Sequence, residues 1–189
     1  MKFNVHSALA GQHAFLSPSN YHWINYTDQK LQARYISSVA ARRGVDLHEY
    51  AQRAITLGIK QARTKETINQ YINDAIGFKM RTEQVLFYSY NCFGTADTIS
   101  FRKGMLRIHD LKTGMTKTSH HQLEVYVALF CLEYNVSPYD INIELRIYQN
   151  NEILVHVPDP EQIIRIMDKI IFFDQQIEQM KEEDFDVYL

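Results

Sequence analysis

A Lys103-Gly104 pair separates two runs whose apolar residues alternate, and this punctuation constrains the fold more than any other feature of the chain. In the first run Thr95, Asp97, Ile99 and Phe101 share one side of an extended segment; in the second, Leu106, Ile108, Asp110 and Lys112 do. A two-residue hairpin closed by Lys103-Gly104 pairs Arg102 with Met105. Five steps along, it sets Asp97 opposite Asp110, with Lys112 two residues beyond on the same side. Each carboxylate therefore ends a largely apolar row, at the edge of a core rather than on a solvated surface. Facing carboxylates repel. A fold tolerates them most readily with a cation between them.

The rest of the pattern builds a domain around that hairpin. Residues 1–26, rich in Ser, His, Asn and aromatics, read as an irregular arm. Leu31, Tyr35 and Val39, with Ile36 and Ala40 beside them, predict a helix from Asp28 to Arg43 that stops at Gly44. Asp46 and Glu49 predict a capping box for a second helix, whose inner face is Leu47, Tyr50, Ala51, Ala54 and Ile55. A third helix is expected from about Glu66 to Ile76, ended by Gly77. The period then changes to two. Glu83 to Tyr90, Gly94 to Arg102 and Met105 to Lys112 read as strands, and Ser119 to Tyr134 as a helix. Asn150-Asn151 turns a second hairpin between Ile141–Tyr148 and Glu152–Val157. Pro160 opens a long amphipathic helix carrying Ile163, Ile166, Met167, Ile170, Phe173, Ile177 and Met180. The expectation is one α/β domain over 1–189, with an N-terminal helical portion to about residue 78 and a sheet flanked by helices.

Bulk properties exclude several classes. With 46% apolar residues, few Pro and Gly and no long charge block, the 189-residue chain is not a disordered one. The absence of a run of about 18 apolar residues argues against a membrane span, and the N-terminus lacks a signal peptide's apolar core. These features predict a soluble cytoplasmic protein. A net charge of −2 argues against bulk attraction to nucleic acid but not against a local basic groove beside an acidic site. Cys92 and Cys131 are too few for a four-thiolate site and read as small buried hydrophobes. His120 and His121 with His109 do not make a zinc site, because adjacent histidines point to different faces.

Glu83, Gly94-Thr95-Ala96-Asp97, Asp110-Leu111-Lys112, and Gln122 with Tyr126 follow in an order and spacing that resembles the PD-(D/E)XK nuclease superfamily. The closest branch is the RecB-like and phage (lambda-type) exonuclease group. Gly44-Val45-Asp46-Leu47-His48-Glu49 resembles the segment in which RecB-like nucleases supply a histidine metal ligand. Leu16-Ser17-Pro18-Ser19, followed by Trp23, looks like the start of a phage-borne branch. The likeness spans about residues 13–135. It implies a restriction-endonuclease-like core with a mixed central sheet. Asp97 and Asp110 would hold Mg²⁺ or Mn²⁺, with the carbonyl of Leu111, His48 and Glu83 as further ligands. Lys112 would act on the attacking water or on phosphate charge, and Gln122 and Tyr126 would position the site or the DNA backbone. Hydrolysis of a phosphodiester needs an activated water and a place for developing negative charge, and a hard cation on oxygen ligands supplies both. The imidazole of His48 would bias the choice toward Mn²⁺. Two departures matter: Ala96 stands where the branch often has another residue, and the four cysteines of the iron–sulfur members are missing, so no cluster is expected.

The resemblance implies a DNA nuclease, foremost an exonuclease acting on duplex ends in phage recombination or replication, in the bacterial host cytoplasm. By analogy its partners would be a single-strand-annealing protein and further copies of itself. The alternative is a catalytically idle, nuclease-like protein that binds DNA ends or serves assembly; a third reading is an RNA-directed nuclease with the same metal chemistry. Plainer readings stand beside each residue. Asp110 and Lys112 could be a simple ion pair, His48 a core-facing helix residue and Glu83 a solvated strand start, while Gln122 and Tyr126 could be polar-tipped packing residues. Arg42, Arg43, Arg53, Lys60, Arg63, Lys65, Arg102, Lys103 and Lys117 are candidates for tracking phosphates or simply surface charge.

Overall fold

Five strands form one mixed sheet: β1 (Arg81–Ser89), β2 (Cys92–Arg102), β3 (Met105–Leu111), β4 (Asn142–Gln149) and β5 (Glu152–His156). They lie in the order β1-β2-β3-β4-β5, with only the β3–β4 pair parallel. The computed structural model describes residues 7–9, 13–114, 116 and 118–187, so Met115 and Lys117 lie outside the described residues. The chain divides into two units, Met1–Asp46 and Leu47–Leu189.

One helix differs from expectation. Instead of stopping at Gly44 and restarting at Asp46, α1 (Asp28–Thr56) runs through both. A glycine inside a helix costs only about 1 kcal/mol relative to alanine. Ala40, Ala41, Arg42 and Arg43 before it, with Leu47, Glu49 and Ala51 after it, favour continuation. Asp46 therefore has no helix end to cap. In the first unit, the expected irregular arm contains the 3₁₀ turn Pro18–Asn25, held by Trp23 Nε1 donating to the Ser17 carbonyl at 3.0 Å.

In the second unit the two hairpins turn as their residues require. Lys103 and Gly104 have φ of 51° and 73°, and Asn150 and Asn151 have 51° and 62°. Paired positive φ values match the right-handed twist of the strands, and Gly and Asn adopt them most easily. The central register is the expected one from Arg102 opposite Met105 to Thr98 opposite His109, but the ladder ends there, one step short of the expected Asp97–Asp110 pair.

A parallel step from β3 to β4 needs a crossover, and α3 (His121–Tyr134) supplies it. This helix lies between the sheet and α4 (Pro160–Val187), which is why the consecutive residues Val127 to Cys131 are all buried and no amphipathic period is visible. Leu106, Ile108, Leu123, Val127, Leu145 and Ile163 centre that core. The opposite face is covered by α2 (Thr67–Gly77) and the C-terminal end of α1, through Ala51, Ala54, Ile55, Tyr71, Ile72 and Ala75 against Leu111 and Tyr148. The unit is thus an α/β fold with a five-stranded mixed sheet flanked by helices. Among the described residues, no helix is long and apolar enough to cross a membrane.

Candidate active site

The regular alternation of β1 and β2 fails at one level, Glu83 and Asp97. The ladder pairs Thr82 with Thr98 and Gln84 with Ala96 but skips the position between. Glu83 has φ of 49°, unusual for a residue with a side chain. The two strands change faces together across this level, so the single side expected for Thr95, Asp97, Ile99 and Phe101 is not kept: Ala96 and Ile99 lie in the same core. Thr82 lies against Thr56 of α1, and Thr98 lies beside Tyr71 of α2, whereas Ala96 and Leu86 pack in the α3-side core. A left-handed conformation at such a residue costs of order 1–3 kcal/mol, and such outliers concentrate at functional sites. At this level Asp97 is left out of the ladder with β1.

Asp97 gathers partners from two elements, β3 and α1. Its Oδ2 accepts from the Leu111 backbone N–H at 3.3 Å and lies 3.4 Å from His48 Nδ1. His48 comes from the last turns of α1, so the long helix places it over the sheet. Asp110, at the end of β3, is buried. Its Oδ1 is 3.0 Å from Lys112 Nζ, while its Oδ2 is buried with no hydrogen-bond partner among the described residues. Burial pushes the Asp97 carboxyl above the ordinary range; His48, the Leu111 N–H and Lys112 pull it back, and Glu83 pushes it further. Burial also raises Asp110, with repulsion from Asp97 next, against the pull of Lys112 and His48. Glu83 itself is exposed and makes no hydrogen bond or ion pair among the described residues, acting on Asp97 through its charge alone.

Lys112 is fixed from its other side. Its Nζ donates to Gln122 Oε1 at 3.0 Å; Gln122 Nε2 lies 3.4 Å from the Tyr126 hydroxyl, which donates to the Thr95 carbonyl at 2.6 Å. Gln122 and Tyr126 stand one turn apart on α3, so the helix ties Lys112 to the strand that carries Asp97. Gly94 makes room for this link: a Cβ there would meet the Tyr126 ring at 3.0 Å. The structure thus brings His48, Asp97, Asp110, Leu111 and Lys112 into one cluster, joins Gln122 and Tyr126 to it, and leaves Glu83 at its rim. The orphaned Asp110 oxygen and two like-charged carboxyls fit a bound divalent cation, although no three His, Cys, Asp or Glu side chains among the described residues converge into a preformed ligand group.

A second polar cluster lies on the same helix, and sequence reading missed it. Buried Glu124 is held by His121 Nδ1 at 2.9 Å and by His156 Nε2 at 3.0 Å, and the His120 ring stacks on His156 with centroids 4.8 Å apart. These two hydrogen bonds hold the Glu124 carboxyl below the ordinary value despite the opposing effect of burial. His121 and Glu124 are one turn apart and visible in sequence, but His156 arrives from β5, which no local signal announces. Comparison with protein-family models, with curated proteins and with solved structures finds no match.

Proposed function

We propose that this chain is a metal-dependent nuclease of the PD-(D/E)XK type, with a restriction-endonuclease-like core, acting on the ends of duplex DNA. The observation that carries this reading is the convergence of Asp97, Asp110 and Lys112 at a break in the sheet, with one buried carboxylate oxygen left without a partner. Structural ion pairs satisfy their charges; this cluster does not, and a bound cation would.

Asp97 and Asp110 would hold Mg²⁺ or Mn²⁺, with the Leu111 carbonyl, His48 and Glu83 as further ligands. Such an ion lowers the pKa of a bound water and stabilises charge on a phosphoryl oxygen. The chain's own residues do the rest. Lys112 holds a positive charge 3.0 Å from Asp110, where an attacking water or a phosphate oxygen would be oriented. Gln122, linked to Tyr126, gives that ammonium a second partner beside Asp110 and so fixes its direction. His48 shields Asp97 on the α1 side.

The test is a cleavage assay on end-labelled linear duplex, closed circular duplex and single-stranded DNA, each with Mg²⁺, Mn²⁺ or EDTA, alongside Asp110→Ala. The expected result is metal-dependent loss of linear DNA that falls to background in the folded variant. Cutting by Asp110→Ala at the wild-type rate would sink the assignment. No cleavage, with end binding retained, would favour the idle binding-protein reading, and cleavage of RNA alone would move the substrate class.

A further inference from the structure

On the α3 side of the sheet lies a cleft of about 600 Å³ between the β1–β2 pair and the C-terminal end of α3. Its lining contains Lys79, Arg81 and Arg102 and no carboxylate. None of these three cations makes an ion pair among the described residues, and all three are exposed. A local concentration of unanswered positive charge is notable in a chain whose net charge is −2. It marks a place built for an anion.

Three aromatic rings stand among the aliphatic residues of its apolar wall. Phe101, Phe130 and Tyr134 form a ladder with ring centroids 5.2 Å and 4.9 Å apart. Phe130 is buried and fixes the ladder, whereas Phe101 and Tyr134 are 44% and 51% exposed and offer ring surface to the cleft. Cations tracking a backbone, interleaved with exposed rings on which bases stack, are the two ingredients of sequence-tolerant single-strand binding. In sequence the cleft lining comes within one residue of the site already described. Gln84 lines it, and the preceding residue is Glu83, at the level of Asp97.

We propose that this cleft binds a short stretch of single-stranded nucleic acid, with phosphates on Lys79, Arg81 and Arg102 and bases on Phe101 and Tyr134. As the track for the strand that enters or leaves the carboxylate site, it rests on the nuclease reading. As a binding site it does not, and the two are tested apart.

The experiment measures fluorescence anisotropy of a labelled oligothymidylate in EDTA, so that binding is read without cleavage. It uses the full chain, a salt series, and dTMP as competitor. The variants are Arg81→Glu with Arg102→Glu, and Phe101→Ala with Tyr134→Ala; a matched charge reversal on the exposed side of α4, Arg165→Glu with Lys169→Glu, is the positional control. Binding by wild type is expected to weaken at least ten-fold in the charge variant, with the log–log salt slope reduced by roughly 1.4 for two lost single-strand phosphate contacts. The aromatic variant should lose roughly ten-fold or more. Unchanged affinity in both, or an equal loss in the control, would overturn the placement. Competition by dTMP as effective as that by the unlabelled oligomer would overturn the strand in favour of a free-nucleotide pocket. Binding that depends on the cleft in a protein that cuts nothing would keep this proposal and remove the nuclease one; cutting by a protein whose oligomer binding ignores every cleft variant would do the reverse.

Discussion

Two polar clusters ride on the central strands, and they treat charge in opposite ways. On the α2 side, Arg146 reaches Asp74 at 2.9 Å and Glu144 at 3.0 Å, Arg107 reaches the same Glu144 at 3.1 Å, and the Tyr148 hydroxyl donates to Asp74 at 2.6 Å. Two guanidiniums answer two carboxylates, and both stack on Phe78. Around Asp97, two carboxylates share one lysine, one histidine and a single backbone N–H, and the charge of a third, Glu83, acts against them. The first cluster is explained by the stability of the fold alone. The second is not, because burial and repulsion raise both aspartates above their ordinary range. That contrast separates a network that satisfies its own charges from one that does not more sharply than either does alone.

Removing a partner should therefore have opposite signs in the two places. Arg146→Ala leaves Asp74 and Glu144 short of a cation, and the part-buried geometry predicts a loss of about 2–4 kcal/mol in urea unfolding, somewhat below the cost for a fully buried pair. A loss below the error of the measurement would mean that the network is solvated. Next in size is the pH response of the metal-free protein. Burial, then Arg146 and Arg107, push buried His109 down to about 3. Below the unfolded pKa of about 6.5 the unfolded chain binds a proton that the native state refuses, so stability falls as pH falls toward 3. Asp97 and Asp110 act with the other sign: their folded pKa values are raised, so the penalty they carry at neutral pH is relieved as pH falls through those values. Between pH 6.5 and 5 in EDTA, His109→Asn should lose about 1–2 kcal/mol less than wild type. Equal slopes would show that His109 is not held neutral. Smaller again, Asp110→Asn should stabilise the protein in EDTA by roughly 1 kcal/mol while abolishing any metal-dependent activity. Destabilisation would put Asp110 among the structural ion pairs.

The elements that were legible in the sequence are those written locally. The Lys103-Gly104 and Asn150-Asn151 turns carry their own positive φ, and a hairpin's register follows from its turn, so the pairing of β2 with β3 is readable from the amino-acid sequence alone. Gly44 shows the limit of such punctuation: a breaker inside a strong helical context is overridden, and α1 continues. The positive φ of Glu83 has no signature in the alternation, because Glu is not a residue that favours it. Contacts that cross the chain were illegible from spacing. His48 reaching Asp97, His156 reaching Glu124 and Asp74 reaching Arg146 each join residues far apart in sequence, and only the resemblance suggested the first of them.

The smallest expected effect tests how the site is propped. Gly94→Ala places a methyl 3.0 Å from a Tyr126 ring carbon, so the ring must give by a few tenths of an ångström. Alanine suits a strand better than glycine, which offsets part of the crowding, and the net stability change should stay below about 1 kcal/mol. The movement should instead be read through the hydroxyl of Tyr126. Shifting it loosens the 2.6 Å bond to Thr95, then the contact with Gln122, then the hold on Lys112. Activity is expected to fall several-fold. Tyr126→Phe removes the same hydroxyl without crowding and should produce a similar loss, and the double variant Gly94→Ala with Tyr126→Phe should be little worse than either alone. If the two losses multiply, Gly94 and Tyr126 act independently, and the chain from Gly94 to Lys112 is packing rather than positioning.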